Sequence, residues 1–218
     1  LLAAITTGYS YDMGCFGAWA AKMAQTGPAA FYSEGYFADY PPGYLYVLGA
    51  VGAVQKIFGL DFDGAAFKIL LALVPAVCDC AAAWLVAQLG QRCLPDARSV
   101  LCLTAFAALQ PAALFDTAVW KQIDGAFTLP ILLCFLLLET KNYLPAAIFY
   151  GVALSIKPQA LLFGPVLAAC FLAGIVLEQD RLRAFGRCFA GAVLAVLPVL
   201  AAGLPFFGLR GLLPGLLD

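Results

Sequence analysis

Residues 65–90 read AAFKILLALVPAVCDCAAAWLVAQLG. This run exceeds the roughly 20 residues that an α-helix needs to cross a hydrocarbon core of about 30 Å. Further apolar runs fall at 98–114, 125–139, 143–156, 159–177 and 187–203, besides a stump at 1–8 and a run at 41–58. The composition of the 218-residue chain agrees: 64% hydrophobic, 11% charged, mean hydropathy +0.93, where soluble domains carry about 25% charged residues. The expected fold class is all-α, a polytopic transmembrane helical bundle with extracytoplasmic interfacial helices.

The charged residues exclude several functions. Twelve Lys and Arg against thirteen Asp and Glu leave a net charge of −1, so the basic surface that nucleic-acid binding needs is absent. The chain has no histidine, which removes imidazole as base, nucleophile or metal ligand and leaves acid/base work to carboxylates. The eight cysteines lie mostly in apolar runs without a paired zinc-type spacing. They read as small buried hydrophobes.

Positive charge orients the runs, because short cytoplasmic loops are enriched in Lys and Arg. Arg92 with Arg98, then Lys141, then Arg181, Arg183 and Arg187 mark three such loops. Segments 60–64, 115–124, 157–158 and 204–218 then fall on the extracytoplasmic side. The run 41–58 opens with Pro41-Pro42 and carries Gln55, Lys56, Tyr44, Tyr46 and two internal glycines, Gly49 and Gly52, which suits an interfacial helix better than a span. A spanning 41–58, with the preceding loop inside, is the alternative. In residues 12–25, Asp12, Phe16, Trp19 and Met23 form one helical stripe that suits the headgroup level, and Thr26-Gly27-Pro28 ends that helix. The expected organisation over 1–218 is a partial membrane module. It comprises a truncated first span at 1–8, an extracytoplasmic loop with interfacial helices at 9–64, six spans within 65–203, and the start of another extracytoplasmic loop at 204–218.

Two of the expected spans are short, about 21 Å for 143–156 and about 22 Å for 125–139 at 1.5 Å per residue. Their polar ends are therefore sunk, and irregular backbone at that depth is tolerated where it lines a cavity. Trp120-Lys121-Gln122-Ile123-Asp124 and Ile156-Lys157-Pro158-Gln159 are the segments concerned. The same side gathers Asp12, Glu34, Asp39, Asp61, Asp63, Asp116 and Asp124, with Lys121 and Lys157 as cations. Simpler roles stand beside these: Asp12 at a helix start, Asp39 in a turn, Asp63 as an N-cap, Trp120 in an interfacial belt, Gln122 and Asp124 as caps, and Lys157 snorkelling. Asp79, near the middle of 65–90, reads as an interhelical contact.

Tyr11-Asp12 with Trp19, Phe31-Tyr32, and Asp39-Tyr40-Pro41-Pro42-Gly43-Tyr44 together resemble the first extracytoplasmic loop of the GT-C superfamily of membrane glycosyltransferases. Val119-Trp120-Lys121-Gln122-Ile123-Asp124 and Ser155-Ile156-Lys157-Pro158-Gln159-Ala160-Leu161 resemble the W-x-Q-x-D and K-P-Q segments of its bacterial members. The resemblance runs along nearly the whole chain. It implies an integral protein of the bacterial plasma membrane with an extracytoplasmic active site, and a polyprenyl-phosphate-linked sugar as donor. It implies transfer to an acceptor with inversion, as in mannosyl- and glucosyltransferases of the class. The acceptor is undefined, membrane lipids surround the protein, and nucleic acid is no partner.

The resemblance also assigns roles. Asp12 corresponds to the catalytic carboxylate, as general base. Asp39, Tyr40, Trp120, Lys121, Gln122, Asp124, Lys157 and Gln159 are the expected substrate-binding residues; a leaving phosphate needs cations and amides to meet its charge, and Lys157 and Gln159 are the candidates, with Lys121 and Arg210 behind them. Some members carry a lysine where this chain has Tyr40. No metal site or cofactor is required, although some members use a divalent ion that Asp12 with Asp39 could hold. Two other classes compete: a transporter or flippase for a lipid-linked or small polar substrate, which calls for matching interrupted helices in two halves, and a non-catalytic membrane assembly subunit.

Overall fold

A computed structural model describes residues 2–177 and 180–212 and contains helices and turns, with no strand among the described residues. The helices are α1 (Leu2–Thr6), α2 (Ser10–Thr26), α3 (Pro42–Phe58), α4 (Ala65–Cys93), α5 (Ala97–Leu109), α6 (Pro111–Leu114), α7 (Asp124–Glu139), α8 (Tyr143–Ile156), α9 (Gly164–Leu177) and α10 (Arg181–Leu212). A π-helical turn, Phe115–Trp120, follows α6, and 3-10 turns occupy Pro28–Ala30 and Pro158–Phe163. Among the described residues three stretches are long and apolar enough to cross a membrane: Ala65–Cys93, Ala97–Trp120 and Arg181–Gly208. Their outer faces carry exposed Leu101, Phe106, Leu109, Phe185 and Phe189, apolar surface that is stable only against lipid or a partner. The protein is an all-α polytopic bundle.

Local chemistry sets the helix ends. Gly27 adopts φ 71°, its N–H donates to the Met23 carbonyl, and Pro28 bars continuation of α2. Asp96 caps α5 by accepting from the N–H groups of Arg98 and Ser99 and from the Ser99 hydroxyl. These bonds hold its carboxyl below the usual carboxylate range. Asp63 does not cap α4 as expected: the N-cap is Gly64, without a side-chain bond, and Asp63 instead donates its N–H to Asp61 Oδ1. The helix α3 begins at Pro42, where proline's fixed φ suits a first turn.

The described residues form two compact units, one of Leu1–Asp39 with Leu45–Leu129 and one of Tyr40–Tyr44 with Pro130–Asp218. In the first, Phe16, Trp19, Phe31, Leu45, Leu48 and Phe67 are buried. Helices α2 and α3 approach so closely that a Cβ on Gly52 would overlap the Ala20 carbonyl. The stripe of Phe16, Trp19 and Met23 therefore faces protein, where headgroup-level placement was expected for it. Trp19 Nε1 donates to the Phe37 carbonyl at 2.9 Å, and Lys22 Nζ sits 3.4 Å from the Tyr36 ring centroid, tying the 27–40 loop to α2.

In the second unit α8 packs on α10 with Gly151 against the Ala195 carbonyl, and α9 meets α10 where Phe171 covers Gly191. The arginines 181, 183 and 187, expected in a loop, belong to the first turns of α10. Helical backbone extends through 204–212, where loop was expected, in two pieces that meet at a kink where Gly208 takes φ 65° and ψ 177°. Residues 213–218 of that segment lie outside the described residues. The cysteines are free, and Cys134 is buried while Cys80, Cys93 and Cys102 are exposed on α4 and α5, so burial does not explain all eight.

Candidate functional site

In the first unit the chain leaves the α5–α6 helix through the π turn. Lys121 follows it in the left-handed region, φ 70° and ψ 26°, an uncommon conformation for a residue with a Cβ. The Asp116 carbonyl accepts the N–H of Lys121 and, at 3.0 Å, the N–H of Gln122. The turn thus closes on a single oxygen and releases the next side chain sideways. That side chain, Gln122, donates from Nε2 to Asp12 Oδ2 at 2.6 Å. Two expected site residues, 110 positions apart, meet in a short charge-assisted hydrogen bond.

Asp12 lies in the first turn of α2, yet the N-cap there is Tyr9 and no side chain caps the end. Its carboxylate is directed to Gln122. Asp39 acts in the same neighbourhood: the Cys15 thiol is pushed up by burial and then by the negative charges of Asp12 and Asp39, against a hydrogen bond with Tyr11. Asp124 opens α7, half-buried, two residues after Gln122.

Lys121 is buried at the end of the turn. Only 1% of it is exposed, and Nζ donates to the Ala118 carbonyl; the single proton of the Thr7 hydroxyl is shared between that carbonyl at 2.9 Å and the Ala3 carbonyl at 2.6 Å. Burial, with Lys68 adding repulsion, pushes its ammonium down to about 8. Trp120 points outward, 44% exposed, and packs edge-on to Tyr9 and Phe115 at centroid distances of 6.1 and 6.3 Å. These rings, with Thr6, Thr7, Gly8 and Val119, line a cleft of about 580 Å³.

Tyr40, Lys157 and Gln159 belong to the second unit. Pro158 forces the preceding residue out of the α region, and Lys157 is extended at φ −143° and ψ 133°. Its side chain is buried with Nζ 5.9 Å from the Tyr40 ring centroid, within cation–π range. Gly43 lies against Ser155, where a Cβ would come within 2.5 Å of the hydroxyl oxygen, so the Tyr40–Tyr44 segment seats directly on the end of α8. Gln159 is exposed on the 3-10 turn.

Sequence reasoning missed Thr117, whose hydroxyl donates to Asp79 Oδ2 at 2.6 Å, and Thr7. Both are ordinary threonines in sequence, and only the fold shows their partners. No group of three or more acidic or cysteine side chains is arranged to hold a metal among the described residues. Asp12 and Asp39 would supply at most two carboxylates, so a magnesium ion there would depend on water and on phosphate oxygens of the substrate for its remaining ligands.

No curated protein and no solved structure matches the chain. The family model described as glycosyltransferase family 87 matches residues 37–213, a range that holds both lysine breaks and starts downstream of Asp12. With its membrane-length helices and this match over most of its length, the chain is an integral-membrane protein that belongs to glycosyltransferase family 87.

Proposed function

We propose that the protein transfers a sugar from a polyprenyl-phosphate-linked donor to an acceptor hydroxyl on the extracytoplasmic side of the membrane, with inversion, and that Asp12 is the general base. The observation that carries this reading is the 2.6 Å bond from Gln122 to Asp12 Oδ2. That bond holds one carboxylate oxygen, and in this reading the other takes the acceptor proton. In the step, Asp12 takes the acceptor proton as the acceptor oxygen bonds to the anomeric carbon. The bond from that carbon to the phosphate oxygen breaks, and its electron pair leaves with the lipid phosphate. Displacement from the opposite face inverts the anomeric centre.

The remaining roles follow from charge and shape. Lys157 and Gln159 are the groups for the leaving phosphate, where a cation and an amide meet developing charge. Trp120, with Tyr9 and Phe115, offers an aromatic face to a sugar ring. Asp39, Tyr40 and Asp124 serve as further substrate contacts, whereas the buried ammonium of Lys121 suits holding the π turn. The short helices α7 and α8, about 24 and 21 Å long, are spans whose ends sit below the membrane surface. With 65–93, 97–120, 158–177 and 181–212 they make six.

The test is reconstitution in liposomes with polyprenyl-phosphate mannose or polyprenyl-phosphate glucose and an octyl glycoside acceptor, followed by NMR of the product. The expected product has the anomeric configuration opposite to that of the donor. Retention of configuration, or movement of donor across the bilayer without transfer, overturns the reading.

A further inference from the structure

Thr117 lies in the π turn whose end releases Gln122, and its hydroxyl bonds to Asp79 on α4. Asp79 lies at the middle of α4, an apolar spanning helix, where a polar side chain is costly unless partnered. Its Oδ2 accepts from the buried Thr117 hydroxyl at 2.6 Å. From the other side Gly125, in the first turn of α7, presses on the same carboxyl: a Cβ there would overlap Asp79 Oδ1 and come within 2.8 Å of the Pro75 carbonyl. Asp79 is thus wedged between the π turn and the start of α7, the two pieces that bracket Gln122.

The backbone completes the linkage. Asp116, next to Thr117, supplies the carbonyl that receives Gln122 N–H, so any movement of Thr117 is passed to the Gln122 backbone one hydrogen bond away. Ala118, on the other side of Thr117, is fixed by Thr7 and Lys121. A π turn has poorer intrinsic geometry than an α-helix and persists where its surroundings over-determine it. The Asp79–Thr117 bond ties this turn to a membrane-spanning helix.

We propose that Asp79, acting through Thr117, is a positioning residue for sugar transfer, holding the π turn so that Gln122 reaches Asp12. This inference rests on the catalytic reading of the Asp12–Gln122 pair. A purely structural tie loses activity independently of Gln122, whereas a positioning tie works only through it, and a double-mutant cycle separates the two.

The experiment uses the full chain in nanodiscs with polyprenyl-phosphate mannose or glucose and an octyl glycoside, measuring kcat and KM for Thr117→Val, Gln122→Ala and the double variant. Thr117→Val is expected to lower kcat about fivefold with KM unchanged, Thr117→Ser to restore it, and the double variant to be no slower than Gln122→Ala alone. Losses that multiply, or wild-type kcat in Thr117→Val, overturn the inference while leaving the Asp12–Gln122 reading intact. Wild-type kcat in Gln122→Ala overturns that reading, and the inference with it. Should Thr117→Val fail to fold, Asp79→Leu, alone and with Gln122→Ala, runs the same cycle from the other partner.

Discussion

Two lysines follow the ends of apolar helices in this molecule, and the chain leaves the helix in opposite senses at each. Before Lys121 the helix widens into a π turn, the lysine adopts the left-handed region, and its side chain folds back onto a carbonyl of the same turn. After Lys157 the chain tightens into a 3-10 turn, the lysine is extended, and its ammonium lies over the ring of Tyr40. The second break has a local cause, Pro158, which excludes α geometry from the residue before it. The first has neither proline nor glycine within Phe115–Ile123. It is held by Thr117 on Asp79, Thr7 on Ala118 and Gln122 on Asp12. One break is written in the sequence and the other is imposed by packing, which suits a fixed cation in the second and an oriented amide in the first. The difference also argues against two equivalent interrupted helices of the kind a repeat-built transporter uses.

The comparison can be broken by removing one member at a time. Lys157→Met is expected to have the largest effect, about a hundredfold loss in kcat/KM for a polyprenyl-phosphate sugar, the scale of a lost hydrogen bond to a charged group. A change below about threefold would remove Lys157 from the phosphate. Pro158→Ala is expected to let α8 continue through position 157 and so weaken donor use by about tenfold, read in the same assay. Gln122→Ala, which leaves Asp12 without its amide, is expected to lower kcat by about tenfold.

Lys121 yields a stability effect with a definite sign. Its ammonium is pushed from the ordinary value near 10.5 down to about 8 in the fold, so between those values the unfolded chain binds more protons than the native one. Stability from this group therefore rises with pH from about 8 to about 10.5. Thermal melting across that range is expected to show a rising component in the wild type that Lys121→Met lacks. Equal pH slopes in the two proteins would show that the burial has no energetic consequence.

Much of the fold was legible because it depends on local rules. The run 143–156 coincides with α8, Pro42 starts α3, and Gly27-Pro28 ends α2. The α10 start was not, since three arginines read as loop, whereas the helix exposes Arg181 and Arg183, sets Arg187 over the Tyr143 ring, and has Asp180 accepting the Arg183 N–H at its start. At the site, Gln122 and Lys157 stood out as polar residues at sunk helix ends, and Asp12 through the resemblance of its loop to the GT-C family. The inward turn of Lys121 was invisible, because left-handed backbone at a lysine has no sequence signal. Thr117 was invisible for another reason: its value lies in a partner 38 residues away.

The central claim is that Asp12, held by Gln122, removes the acceptor proton. Asp12→Asn keeps the side chain's size and loses its basicity. With the full chain in liposomes, polyprenyl-phosphate-linked sugar and an octyl glycoside, its kcat is predicted to fall by about 10² to 10⁴, the usual contribution of a general base, while donor binding is retained. Transfer by Asp12→Asn at the wild-type rate would contradict the account.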